Sequence, residues 1–148
     1  YLTKIPGTVT SLVTAIFIYI AYEHLEYTDI KFSIIFFTLL FFYSFYAVKD
    51  AESEFKNKDP RQIVIDEVLG QAMPLILVLN LSQNNQLSLQ IEIYYVLSFI
   101  FFRFFDILKP FPVSYFDKNF KNYFGIIMDD IMAGLYSMIL IYLISLKF

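Results

Sequence analysis

Five long uncharged stretches, separated by short polar ones, dominate the pattern of hydrophobic and polar positions along the chain. The uncharged stretches cover residues 5–22, 32–48, 68–91, 93–102 and 131–146. They are long, contain few breakers and lack the turn pairs that join strands, which favours helices over strands. The pattern predicts five helices, at residues 8–27, 32–49, 64–82, 89–108 and 128–147.

The lengths of these stretches fit a lipid bilayer. An apolar helix of 17 residues is about 26 Å long, slightly shorter than the roughly 30 Å hydrocarbon core. Tyrosines near helix ends, such as Tyr22 and Tyr43, are typical of a membrane interface, although tyrosine is also common throughout this chain. We therefore predict an all-α, polytopic membrane bundle of about five helices, formed by a single domain over residues 1–148. A soluble helical bundle is the alternative.

Composition agrees with this prediction and removes several classes of function. Hydrophobic residues make up 58% of the chain and charged residues 17%, which is unlike a disordered tail or an average soluble domain. Because the sequence has no cysteine, disulfides, thiolate nucleophiles and cysteine-bound metals are excluded. The single histidine, His24, is interpreted as an interfacial side chain. A net charge of −3 gives no sign of a nucleic-acid partner.

The distribution of positive charges predicts how the bundle is oriented. If five helices alternate across the membrane, nine of the 11 Lys and Arg residues fall on the side of the N-terminus. These nine are Lys4, Lys49, Lys56, Lys58, Arg61, Arg103, Lys109, Lys118 and Lys121, against Lys31 and Lys147 on the other side. Because the side rich in Lys and Arg faces the cytoplasm, we expect the N-terminal side to be cytoplasmic.

Acidic residues at the predicted helix ends gather on the same side. They are Asp66, Glu67, Asp106, Asp129 and Asp130. Adjacent acids project about 100° apart on a helix, so one can face the bundle interior while its neighbour turns aside. Each pair alone could be a helix cap, and Asp106 alone could pair with Arg103. Five carboxylates at one membrane level repel one another unless a cation neutralises them, and oxygen ligands without His or Cys favour Mg²⁺ over Mn²⁺ or Ca²⁺.

Cations and small residues accompany these acids. Arg103 and Lys109 flank Asp106, and Lys4 precedes the start of the first helix near Gly7. A metal held by carboxylates, together with Arg and Lys, suits a phosphate ester, because the metal activates water and the cations neutralise developing charge. Small residues that follow the acids on the same helices predict close helix packing: Gly70, Ala133 and Gly134.

Four blocks of the sequence resemble the phosphatidylglycerophosphatase A family. Residues 4–12 (Lys-Ile-Pro-Gly-Thr-Val-Thr-Ser-Leu) are similar to the opening block of that family, Lys-Ala-Pro-Gly-Thr-x-Gly-Ser-Leu. Residues 59–71 resemble its acidic block, and residues 102–112 are a nearly unbroken match. Residues 125–134 (Gly-Ile-Ile-Met-Asp-Asp-Ile-Met-Ala-Gly) complete the set. The resemblance therefore extends over almost the whole chain.

The resemblance implies an all-helical, Mg²⁺-dependent enzyme of the bacterial inner membrane. Such an enzyme is a phosphoric monoester hydrolase that removes the terminal phosphate of phosphatidylglycerophosphate at the cytoplasmic face and leaves phosphatidylglycerol. By matching position, the resemblance assigns catalytic and metal-binding roles to Asp66, Glu67, Asp106, Asp129 and Asp130. It assigns phosphate binding to Lys4, Thr8, Arg103 and Lys109.

The mechanism expected from these roles is attack by a metal-activated water. Asp66, Asp106 and either Asp129 or Asp130 would hold Mg²⁺, while Glu67 or the remaining aspartate orients the water. A covalent aspartyl-phosphate is a variant of this mechanism. Two other classes of protein stay open. In a small cation transporter the acids would line an ion path, and in a non-catalytic assembly subunit they would be helix caps.

Overall fold

The computed structural model of the chain is built from α-helices and describes residues 6–24, 30–54 and 64–147. Its helices are α1 (Pro6–His24), α2 (Ile30–Glu54), α3 (Ile65–Gln83), α4 (Ile91–Leu108), α5 (Val113–Asn119) and α6 (Tyr123–Lys147). The described residues contain no strand, which confirms the predicted all-α class. Several residues discussed above lie outside the description, namely Lys4, Lys56, Lys58, Arg61 and the side chain of His24.

The short helix α5 corrects the predicted number of helices. The sequence pattern indicated only a connection between residues 108 and 128, whereas Val113–Asn119 forms a helix of seven residues. Pro112 is its N-cap residue, and the backbone N–H of Tyr115 donates to the Pro112 carbonyl at 2.9 Å. Proline is tolerated at the start of a helix because its missing N–H has no intrahelical partner there.

The start of α6 corrects a second prediction. The helix begins at Tyr123 and not at residue 128, because the Asn122 side chain accepts a hydrogen bond from the backbone N–H of Gly125 at 3.2 Å. This is the geometry of an N-cap, for which asparagine is among the preferred residues. Asp129 and Asp130 therefore lie in the second turn of α6, and helix capping does not explain them.

Helix α3 is the central element of the bundle and touches α1, α2, α4 and α6. At one end, a hydrophobic cluster joins three helices through fully buried side chains, namely Leu75 of α3, Tyr94 of α4 and Ile141 of α6. Toward the other end, Leu69 of α3 packs with Ile127 of α6 in a second cluster. These contacts fix α3 and α6 relative to each other along most of their length.

Helices α3 and α6 approach closely at two glycines. A Cβ atom at Gly70 would lie 2.7 Å from the backbone oxygen of Asp130, and one at Gly134 would lie 2.6 Å from the backbone oxygen of Gly70. A larger residue at either position would push the two helices apart. The close packing predicted from the small residues is thus confirmed, and it sets the acid-bearing turns of α3 and α6 side by side.

The outer surface of the bundle is suited to lipid. Among the described residues, three helical segments are long and apolar enough to cross a membrane, judged by length and composition: Ile30–Asp50, Ile65–Gln83 and Tyr123–Lys147. A shorter apolar segment, Gly7–Glu23, belongs to α1, and α4 carries three charged residues among its 18. Only 6% of the α2 span is buried inside the protein, and large hydrophobic side chains cover the outside of the helices. Such extensive exposed apolar surface is typical of a membrane bundle and disfavours the soluble alternative.

Candidate metal centre

Three carboxylates meet where α3 and α6 lie side by side. Asp66 and Glu67 belong to the first turn of α3 and Asp130 to the second turn of α6, and one oxygen of each lies within 4.8 Å of the others. Only 8% of Asp66 and 5% of Asp130 is exposed. Oδ1 of Asp66 and Oε2 of Glu67 are buried and have no hydrogen-bond partner among the described residues. We call Asp66, Glu67 and Asp130 the acidic triad.

Glycines make room for the acidic triad. Gly70 follows Asp66 by one helical turn and Gly134 follows Asp130 by one turn, so the glycine contact and the carboxylates share the same helix faces. On the α1 side, a Cβ atom at Gly7 would clash with the carboxylate of Glu67. Gly70 and Gly134 therefore determine how closely α3 and α6 approach at these acids, and Gly7 leaves room for the Glu67 side chain on the α1 side.

Arg103 and Asp106 form an ion pair on α4. Nη1 of Arg103 lies 2.7 Å from Oδ2 of Asp106, and both side chains are mostly buried. The same nitrogen lies 3.5 Å from Oγ of Ser11 on α1, which is a long contact. Nε of Arg103 is buried without a partner in the described part of the chain. The guanidinium group is thus held by Asp106 and still has unused donor capacity.

Lys109 links two aspartates at the end of α4. Its Nζ lies 2.7 Å from Oδ2 of Asp129 and 2.5 Å from Oδ1 of Asp117, which belongs to α5. Burial acts to lower the pKa of Lys109, but the hydrogen bonds to Asp117 and Asp129 outweigh it and raise the pKa above its usual value. Lys109 is therefore a permanent cation that ties α5 and α6 to the end of α4.

The structure brings three of the five predicted acids into the acidic triad and places Asp106 and Asp129 in ion pairs beside it. All four other carboxylates are close enough to Asp130 to interact with it electrostatically. Asp129 and Asp130 point to different partners, as the 100° spacing of neighbouring helical residues predicts. Thr8 lies in the first turn of α1, beside Gly7. Lys4 lies outside the described residues.

Two residues of this region escaped the sequence analysis as functional candidates. Asp117, the second partner of Lys109, lies in the helix α5 that was not predicted. Gln71 is fully buried on α3, one turn after Glu67, and neither atom of its amide has a hydrogen-bond partner among the described residues. The spacing of four residues from Glu67 was the available signal for Gln71, since it puts both side chains on one helix face.

We expect the substitution Gln71→Leu to raise the stability of the metal-free protein. A buried amide without partners costs about 1–3 kcal/mol, and leucine fills a similar volume with no polar atom. Thermal unfolding in detergent measures this effect, with Gln83→Leu, at the exposed end of α3, as the matched control. A lower melting temperature for Gln71→Leu than for the control would show that the amide has partners, such as buried water.

Comparisons with known proteins support one family. A model of the phosphatidylglycerophosphatase A family matches residues 1–145. Phosphatidylglycerophosphatase A of Haemophilus influenzae is 36% identical over 100 residues, which cover 68% of this chain and 56% of that protein. A Bacteroides thetaiotaomicron protein, provisionally named as a phosphatidylinositol-3-phosphatase, is 35% identical over 137 residues, which cover 92% of this chain and 80% of that protein. No solved structure matches the chain significantly.

Proposed function

The chain belongs to the phosphatidylglycerophosphatase A family, a family of phosphoric monoester hydrolases, and from this premise we propose that the protein hydrolyses phosphatidylglycerophosphate to phosphatidylglycerol and phosphate. The family resemblance predicted from the four sequence blocks is confirmed. The chain aligns with little more than half of the Haemophilus protein's length. Its substrate is therefore proposed from the site as well as from the relatives.

The acidic triad is the observation that carries the proposal. Its two buried carboxylate oxygens without partners are costly in the absence of a cation, and hard oxygen donors of this kind suit Mg²⁺. We propose that Asp66, Glu67 and Asp130 hold Mg²⁺, so that the predicted set of metal ligands narrows to these three. When bound, the ion would polarise a phosphoryl oxygen and lower the pKa of a water.

Arg103 is the cation best placed to bind the phosphoryl group. Its guanidinium plane is fixed by the 2.7 Å contact with Asp106, and its remaining N–H groups include Nε, for which the described part of the chain offers no partner. Planar guanidinium donors match the geometry of phosphate oxygens. Asp106 would then be a positioning residue that acts through Arg103. Thr8 and Lys4 stay proposed as phosphate contacts on the family pattern alone.

The proton inventory of the reaction can be assigned to residues of the chain. Each acid of the triad offers one oxygen to the ion, so the other carboxylate oxygen of Glu67 would accept the proton of the attacking water. The water oxygen forms a bond to phosphorus as the bond to the glycerol oxygen breaks, and that oxygen takes a proton from solvent. In ¹⁸O-labelled water, the label would appear in the released phosphate. Water attack on the phosphorus of an aspartyl-phosphate would put the same label in phosphate, so the covalent variant is distinguished by retention, and direct attack by inversion, of configuration at a chiral phosphorus.

The excess of Lys and Arg on one side supports a location of the site at the cytoplasmic face of a bacterial inner membrane. Arg103 and Lys109 beside the acids also disfavour the transporter alternative, since fixed positive charges impede a cation. The assembly-subunit alternative required the acids to be helix caps. Asp130, in the second turn of α6, does not have that position.

We expect phosphate release from phosphatidylglycerophosphate in detergent micelles with Mg²⁺, loss of that release in excess EDTA, and its return when Mg²⁺ is added back. The physical reason is that the acidic triad without a cation repels an anionic substrate. Phosphatidylinositol-3-phosphate is the comparison substrate, because the Bacteroides relative is provisionally named for it. Faster phosphate release from phosphatidylinositol-3-phosphate than from phosphatidylglycerophosphate would change the proposed substrate to an inositol lipid. No release from either lipid by folded protein would contradict the proposal.

A further inference from the structure

A cavity of about 310 Å³ opens between α2, α3 and α6. It is lined by Phe37, Thr38, Phe41 and Phe42 of α2, Met73 of α3 and Ile131 of α6. The hydroxyl of Thr38, the one polar side chain in this lining, donates to the carbonyl of Ile34 at 2.8 Å. Its hydrogen bond is therefore satisfied within its own helix, and the groove presents an apolar lining to a ligand.

The groove lies next to the acidic triad and deeper along the same helices. Ile131 directly follows Asp130, and Met73 follows Asp66 by seven residues. Seven residues are almost two full turns, so Met73 and Asp66 share one face of α3 and are about 10 Å apart along its axis. The groove therefore begins beside the triad at Ile131 and extends along α3 to Met73, about 10 Å from the level of Asp66.

We propose that this groove binds one acyl chain of the lipid whose terminal phosphate is bound at the acidic triad. A glycerol and a phosphodiester separate the terminal phosphate from the acyl esters in phosphatidylglycerophosphate, and this spacer is about as long as the distance along α3 from Asp66 to Met73 in the groove. The assignment rests on the proposed function, because it takes the substrate class from there. It adds a binding site for the hydrocarbon part of the substrate.

The surroundings of the groove support an acyl chain as its occupant. The α2 wall belongs to the span that the protein leaves almost wholly unburied, so the groove opens toward lipid hydrocarbon. Phe41 packs edge-to-face on Phe42 and Phe45, with ring centroids 5.6 Å and 5.1 Å apart, which fixes the wall before any ligand arrives. An apolar, preformed groove can hold a flexible chain with little reorganisation of the protein.

Tryptophan fluorescence tests the groove directly, since the chain has no tryptophan of its own. Phe41→Trp places a single reporter in the groove wall, and Phe36→Trp places the matched reporter on the exposed, lipid-facing side of the same helix. The ligand is a phosphonate analogue of the substrate, which cannot be hydrolysed, with a dibrominated acyl chain, added with Mg²⁺. Dibrominated phosphatidylcholine at the same mole fraction is the lipid control.

We expect the phosphonate analogue to quench Phe41→Trp at least twice as strongly as brominated phosphatidylcholine does, and with saturation. Phe36→Trp should be quenched equally by both lipids. Equal quenching of Phe41→Trp by the two lipids would overturn the proposal, because the groove would then be ordinary bilayer contact. This measurement does not depend on turnover. Selective quenching without phosphate release from the natural substrate would support the acyl-chain groove and contradict the proposed activity. Phosphate release with equal quenching by the two lipids would support the activity and contradict the groove.

A kinetic measurement links the groove to the reaction. Thr38→Trp fills the groove. Its control is Leu39→Trp, because Leu39 is the next residue of α2, is exposed and does not line the groove. An acyl chain displaced from the groove enters lipid hydrocarbon, where it is not exposed to water, so it loses only its packing contacts with the protein. We therefore expect about a fivefold higher KM for dioleoyl substrate. KM for dihexanoyl substrate and kcat for both should stay unchanged. A rise in KM that is the same for the dioleoyl and the dihexanoyl substrate would contradict an acyl-chain site.

Discussion

Replacing Asp130 by asparagine should lower phosphate release by a hundredfold or more and should at the same time stabilise the metal-free protein. Asp130 is the α6 member of the acidic triad, so its loss would leave the proposed Mg²⁺ with ligands from α3 alone. Removal of one electrostatic group at a reacting phosphate or acyl centre commonly costs about 10²–10³ in rate. The stabilisation has a separate cause, because three shielded carboxylates repel one another when no cation is bound.

Thermal unfolding with and without Mg²⁺, measured beside phosphate release, separates the two effects of Asp130→Asn. A cation that binds only the folded state stabilises it in proportion to RT ln(1 + [L]/Kd), so Mg²⁺ should raise the melting temperature of the wild-type protein more than that of the variant. Glu92→Gln, an exposed acid in the first turn of α4, is the matched control and should behave as wild type. Full activity of Asp130→Asn in Mg²⁺ would remove Asp130 from the metal centre.

Replacing Lys109 by methionine should destabilise the protein by about 1–3 kcal/mol and lower kcat more than it raises KM. Loss of one partner of a buried ion pair commonly costs about 3–5 kcal/mol, and the partial exposure of Lys109 and Asp117 reduces that figure. Without the cation, Asp117 and Asp129 face each other and α5 loses its tie to α6. The turn that carries Asp130 would then be less well held.

The double variant Lys109→Met/Asp117→Asn distinguishes a positioning role from direct phosphate binding. Because the second substitution removes one of the two carboxylates left without a cation, we expect it to recover most of the lost stability and part of the lost kcat. Urea unfolding in detergent and steady-state kinetics are the measurements. A large rise in KM, with stability unchanged and no recovery in the double variant, would make Lys109 a direct contact to the phosphate, as the family resemblance implies.

The sequence was sufficient to predict the five long helices and the side of the bundle where the acids gather. A long uncharged run in a bilayer satisfies its backbone hydrogen bonds by forming a helix, and the charged residues at its ends then lie near the membrane surface. The 100° spacing of adjacent acids describes Asp129 and Asp130, which have different partners, but not Asp66 and Glu67, which both belong to the acidic triad. Short α5 was missed because a seven-residue helix between prolines has no periodicity to read.

The selection of three acids out of five could not be read from the sequence. It depends on the register between α3 and α6, which the contact of Gly70 with Gly134 sets, and on two local competitors for carboxylates. Arg103 engages Asp106 on its own helix, and Lys109 engages Asp129 on α6, with α5 between them in the sequence. Whether a basic residue binds the nearest acid or an external phosphate depends on distances that only the folded chain has.

The acidic triad is divided between two helices that touch in space but are far apart in the sequence, and this has a consequence for how the protein is made. Because chains are synthesised from the N-terminus and helix α6 follows α3 by some 60 residues, Asp66 and Glu67 emerge from the ribosome well before Asp130 does. Until α6 docks on α3 through the contact of Gly134 with Gly70, the nascent bundle has an incomplete set of the proposed ligands and an uncovered acidic turn at the membrane surface. Catalytic competence should therefore arise in one step, with the docking of α6, and partly synthesised chains should have none.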